Sequence, residues 1–139
     1  MSPKRLLFHP YYLYHKTLSL FYEGGIMMNI DQILKQCGFH VRHRGFQALE
    51  KCVCLALEDE TKLLSVTTLY KEVALSNHVQ WGTVERSIRV AVTHAWNNGG
   101  KEQMERVFKC SIPFKPTAGE MIELLTNYML ENQNDSFTK

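Results

Sequence analysis

A chain of 139 residues is the size of one domain and too short for two ordinary ones. Hydrophobic residues make up 45% and charged residues 22%, near globular averages, which excludes wholesale disorder and fibrous repeats. The net charge of +2 is carried by Lys4, Arg5 and Lys16 against Glu23. The remainder is neutral, so a globally basic nucleic-acid binder is excluded, and any contact with a polyanion depends on where charges are placed.

Residues 1–28 differ in texture from the rest: Phe8, Tyr11, Tyr12, Tyr14, Phe21 and Tyr22 crowd together without a helical or strand period. Glu23–Gly24–Gly25 is encoded by purine-rich codons of the ribosome-binding kind, and Met27 and Met28 follow at start-codon distance. Two readings stay open, a natural start at Met27 or Met28 and a short extra helix over residues 11–22. No stretch reaches the ~18 consecutive apolar residues of a membrane span, and no membrane partner is expected. The cysteines form no CxxC pair and follow no signal peptide, so a reduced, cytoplasmic chain with buried free thiols is expected.

From Asn29 the chain reads as a succession of helices. Ile30, Ile33, Leu34 and Cys37 repeat at helical spacing, with Asn29 and Gln32 as a capping box and Gly38 at the C-terminal turn. A polar hinge, His40 to Gly45, leads into a second helix carrying Phe46, Leu49, Val53, Ala56 and Leu57, which the acidic cluster Glu58–Asp59–Glu60 ends. Ser65 opens a third helix with Leu69, Tyr70 and Val73, ending near Leu75, and Ser76–Asn77–His78 supplies turn residues. In the fourth, over about residues 81–97, Val84, Ile88, Ala91, Val92, Ala95 and Trp96 form one buried stripe. Gly82, Arg86, Arg89, Val90, Thr93 and Asn97 fall on the opposite face, and Asn98–Gly99–Gly100 stops the helix. A short helix from Lys101 to Phe108 follows. Thr117 to Glu120 is a capping box for a last helix bearing Met121, Leu124, Leu125 and Tyr128. The reading is all-α: a helical domain of about six helices over residues 29–132, with a flexible polar tail over 133–139.

Two helices joined by a short turn, the second presenting arginines outward, form the pattern of a helix-turn-helix. A planar guanidinium pairs with guanine O6 and N7 or clamps a phosphate, and Arg86 and Arg89, three apart, reach the same stretch of groove. Glu85 at the flank either accepts from a cytosine amino group or holds Arg89. Thr83 and Thr93 lie on or beside that face. Lys71, on the first helix of the motif, and Arg42 and Arg44, in the hinge, are candidate phosphate contacts, with plain solvent exposure as the competing reading. Trp81 either stacks on sugar or caps the local core. His94, at the edge of the stripe, needs no functional role, and Lys109 and Lys115 are either additional phosphate clamps or, the favoured reading, scattered surface lysines. Cys37, His40 and His43 are spaced like metal ligands but lack a fourth, so no metal is expected. No Gly-rich phosphate loop, GxSxG or HExxH occurs; neither catalysis nor a cofactor is expected.

Leu69–Tyr70–Lys71–Glu72–Val73–Ala74, then Thr83 to Arg89, Ala91 and Ala95–Trp96, resembles the DNA-binding effector domain of the stage-zero sporulation response regulator of endospore-forming bacteria. Gly38, Arg44–Gly45–Phe46–Gln47–Leu49 and Lys115–Pro116–Thr117 with Glu120 and Ile122 extend the likeness over about residues 29–132. The resemblance implies a six-helix domain that binds a double-stranded promoter element and contacts the principal sigma factor of RNA polymerase. Glu85, Arg86 and Arg89 would carry over as groove-facing residues. Thr83 stands where the family usually has a basic residue, Val90 where it has a histidine, and the loop from Phe108 to Lys115 is shorter. Residues 1–28 leave no room for the family's receiver, so control by receiver phosphorylation is not expected. A homodimer on tandem sites and a monomer both suit the pattern. An interaction module that modulates polymerase or the full-length regulator without its own DNA binding is the alternative.

Overall fold

The computed structural model describes the backbone of residues 29–138 and the side chains of residues 29–132; the two readings of residues 1–28 lie outside that range. Helix α1 (Ile30–Gln36) is fixed at both ends. The Asn29 side chain accepts from the Gln32 backbone N–H at 2.9 Å, and the Gln32 side chain accepts from the Asn29 N–H at 3.3 Å. At the far end Gly38 takes φ +96°, and the N–H groups of Gly38 and Phe39 bond back to the carbonyls of Lys35 and Leu34. That pair of bonds is a Schellman closure, and Phe39 is buried beyond it.

Helix α2 (Arg44–Glu58) begins at Arg44, two residues earlier than the hydrophobic pattern placed it, so Arg44 belongs to the first helical turn and not to the hinge. It ends at the acidic cluster as expected. The Asp59 carboxylate then accepts from the Thr61 N–H at 3.1 Å, starting a 3-10 turn (Glu60–Leu64) that no hydrophobic period announced. Helix α3 (Val66–Asn77) follows, with Ser65 in the N-cap position but making no side-chain cap bond. A left-handed His78 (φ 58°, ψ 42°) turns the chain into α4 (Trp81–Ala95). A kink at Asn98 and Gly99 separates α4 from α5 (Lys101–Phe108). The Thr117–Glu120 capping box forms both of its bonds, at 2.9 and 3.1 Å, and opens α6 (Ala118–Thr138). This helix continues past Asn132; Asn, Asp and Ser each cost only about 0.7 kcal/mol or less of helix propensity, too little to fix an end by composition.

The described residues are helical, without a strand. The core is formed by Phe46, Leu49 and Val53 of α2, Leu69 and Val73 of α3, Val84, Ile88 and Val92 of α4, and Met121, Ile122 and Leu125 of α6. Helix α2 packs most extensively on α4. Gly45 makes the approach possible: a Cβ there would collide with the Ser87 carbonyl and lie 2.7 Å from the Ala91 methyl. Cys37, Cys52 and Cys54 are buried as expected, but Cys110 is exposed, because α5 ends at Phe108 and the following loop runs over the surface. Trp96 is half-buried against the core, not within it.

Candidate nucleic-acid interface

Helix α4 is anchored on one side only. Val84, Ile88, Ala91, Val92 and Ala95 are buried, while Arg86, Arg89 and Val90 stand exposed on the reverse. The amphipathic period that drives the stripe inward presents the two guanidinium groups to solvent. Helix α3 packs against it, and Tyr70 joins the pair: its ring lies parallel to that of Trp81, at an interplanar angle of 2° and a centroid separation of 6.4 Å. Burial pushes the Tyr70 phenol up to about 12. Trp81 keeps 46% of its surface exposed, so it closes the local core from outside.

The arginines differ in their surroundings. Arg89 donates from Nε to Glu85 Oε2 at 3.1 Å, an exposed i,i+4 pair, so Glu85 holds Arg89 in position. Such a pair stabilises a helix by about 0.3–0.5 kcal/mol, enough to bias a rotamer and little more. Arg86 has no ion-pair or hydrogen-bond partner among the described residues.

Two shallow depressions flank the helix. One, of about 160 Å³, is lined by Arg44, Gln47, Asn77, Val79, Thr83 and Ser87, among others, and gathers the start of α2, the turn and the start of α4. The other, of about 340 Å³, is lined by Arg89, Val90, Thr93, His94, Asn97 and Asn98. Thus Arg44 and Thr83 share one crease, and Arg89 and Thr93 share the other. Arg42 is exposed in the turn before α2, and Lys71 is exposed on α3.

Two contacts escaped the sequence reading. Lys115 Nζ donates to Thr93 Oγ1 at 3.0 Å, tying the loop before α6 to α4. His94 meets His40 and His43, with ring centroids 5.7 and 4.5 Å away, so the hinge leans on the C-terminal half of α4. Both join residues more than 20 positions apart, which no local period reports. Among the described residues no group of His, Cys, Asp or Glu side chains could hold a metal ion. Cys37 in particular is sealed in the core, where burial raises its thiol to about 12.

Residues 30–129 match the family model described as sporulation initiation factor Spo0A C terminal. The chain belongs to that family. The Spo0A C-terminal domain is the DNA-binding domain of a sporulation transcription factor and not an enzyme family, which makes this chain a DNA-binding regulator. The match runs through every element from α1 into α6. Among the described residues, no helix of this Spo0A C-terminal domain is long and apolar enough to cross a membrane.

Proposed function

We propose that the domain is a sequence-specific transcriptional regulator that inserts α4 into the major groove of a promoter element. The reading is carried by one observation: a helix buried along one side bears two exposed arginines, three apart, on the other. Arg86, without an intramolecular partner among the described residues, is the primary base reader. Arg89, oriented by Glu85, reads an adjacent base or a phosphate. Thr83 and Thr93 contact the groove walls at either end of the face. Arg42, Arg44 and Lys71 supply phosphate contacts around it, aided by the N–H groups at the start of α2, where no side chain caps the helix. Each neutralised phosphate releases counterions, so affinity falls steeply with salt although the domain is nearly neutral.

Arg86→Ala and Arg89→Ala, titrated against a selected duplex and a scrambled one, test the assignment. Loss of a base-reading arginine costs about 1–3 kcal/mol, roughly 5- to 150-fold, on the selected site and much less on the scrambled one. Unchanged affinity of both variants for both duplexes refutes it.

A second reading, action on RNA polymerase or on the full-length regulator without DNA binding, is favoured by exposed apolar side chains, Val90 on α4 and the 81%-exposed Phe114 in the loop before α6. Retardation of a promoter fragment by the isolated chain at low salt supports the first reading. Retention that requires polymerase supports the second, with the sigma factor as the partner to examine. Two copies on tandem sites would appear as a second, salt-sensitive retarded band.

A further inference from the structure

Between Arg86 and Ala95 the exposed residues of α4 are polar except Val90, which leaves 52% of its area in solvent. Folding gives no reason for a valine there. A β-branched residue costs roughly half a kcal/mol of helix propensity relative to alanine and recovers it only by packing. The side chain is also stiff: on a helix its χ1 is held near one rotamer, so both methyl groups point in a fixed direction. Val90 lies one helical turn beyond Arg86, beside Arg89 and three residues before Thr93, and it helps line the larger depression on this face.

In the major groove only one base edge offers an apolar surface, the C5-methyl group of thymine. We propose that Val90 is a specificity-determining residue that selects thymine by covering this methyl group, an inference that rests on the DNA-reading role proposed for α4. The register follows from two rises. One turn of helix advances about 5.4 Å, and one base-pair step about 3.4 Å. The thymine therefore lies one to two base pairs from the base read by Arg86. Lys115, hydrogen-bonded to Thr93 one turn further on, supplies positive charge on the same side, where the adjoining phosphates run. The polar neighbours Arg89 and Thr93 border the valine, so a wrong base places a polar edge against the two methyl groups and loses solvent without gaining a partner.

The test uses the full chain and a duplex selected from a random pool. Each thymine in the selected site is replaced singly by uracil, which removes the C5-methyl group and nothing else, and dissociation constants are measured for the wild type and Val90→Ala. Circular dichroism confirms that the surface variant is folded. At one thymine, within two base pairs of the Arg86-dependent position, uracil weakens wild-type binding roughly fourfold, the worth of one buried methyl group. The same substitution leaves Val90→Ala unaffected. Neutral uracil at every thymine, or a penalty that persists undiminished in Val90→Ala, overturns the inference while leaving an Arg86-dependent DNA reader standing. Failure to retain any duplex overturns both.

Discussion

Substituting Gly45 by alanine adds one methyl group at the tightest point between α2 and α4. That methyl would sit 2.7 Å from the Ala91 Cβ and press on the Ser87 carbonyl. Carbon atoms in ordinary contact are about 3.5–4.0 Å apart, so α4 has to retreat by about 1 Å along this line. The Ser87 obstacle is backbone and has no rotamer through which to escape. Overpacking of this kind costs about 1–3 kcal/mol. Alanine's better helix propensity returns less than about 1 kcal/mol in a first turn. The expected net loss is about 1–2 kcal/mol, and each kcal/mol lowers Tm by about 4–8 °C in a domain near 100 residues. Urea unfolding followed by far-UV circular dichroism measures it. Gly82→Ala, where a Cβ meets nothing within 4 Å, is the matched control and should stabilise by up to about 1 kcal/mol. Adding Ala91→Gly to Gly45→Ala should recover only part of the loss, because the carbonyl contact persists. A Gly45→Ala protein that unfolds at the same urea concentration as the wild type refutes the claim that this glycine sets the spacing of the reading helix.

Further outcomes follow from local geometry. His78 holds a left-handed backbone that a side chain disfavours, so His78→Gly should raise the urea midpoint, a gain in unfolding free energy of up to about 1 kcal/mol. Of the chain's 4 cysteines, Cys110 alone should react with a disulfide reagent near pH 8 in the native protein, and all should react once it is unfolded. Thiolate is the reacting species, and burial raises Cys37 and Cys52 to about 12 and lifts Cys54 well above its ordinary value. The Ile112 N–H bonded at 2.8 Å, and then Lys101, hold Glu105 below its ordinary 4.5. A lowered carboxylate contributes stability above that ordinary value and loses it as pH falls through the folded value. Between pH ~5 and ~2, Glu105→Gln should therefore flatten the decline in urea midpoint that the wild type shows.

The parts of this fold that are local in sequence could be read from it, and those that are not could not. Capping boxes at Asn29 and Thr117 declare themselves because donor and acceptor are three residues apart, and the stripe from Val84 to Ala95 because its period is helical. The first two residues of α2, Arg44 and Gly45, are not legible as helix, because a helix start lacking both a large apolar residue and a side-chain cap leaves no mark. Lys115 on Thr93, and the two hinge histidines on His94, arise from the way α2 and the loop before α6 are folded against α4. Nothing within either segment encodes the other's position. Glu85 falls between: its spacing from Arg89 permits an ion pair, and the structure forms it at 3.1 Å.

The parallel rings of Tyr70 and Trp81 have an optical consequence. Half-open to solvent and bridging the two arms of the motif, this indole is a built-in fluorophore whose emission reports whether the arms remain clasped. With Trp96 as the second indole in the chain, replacing that residue by phenylalanine leaves a single tryptophan, and under excitation to the red of the tyrosine band its colour and quenching follow the clasp during unfolding or on a duplex without any attached label.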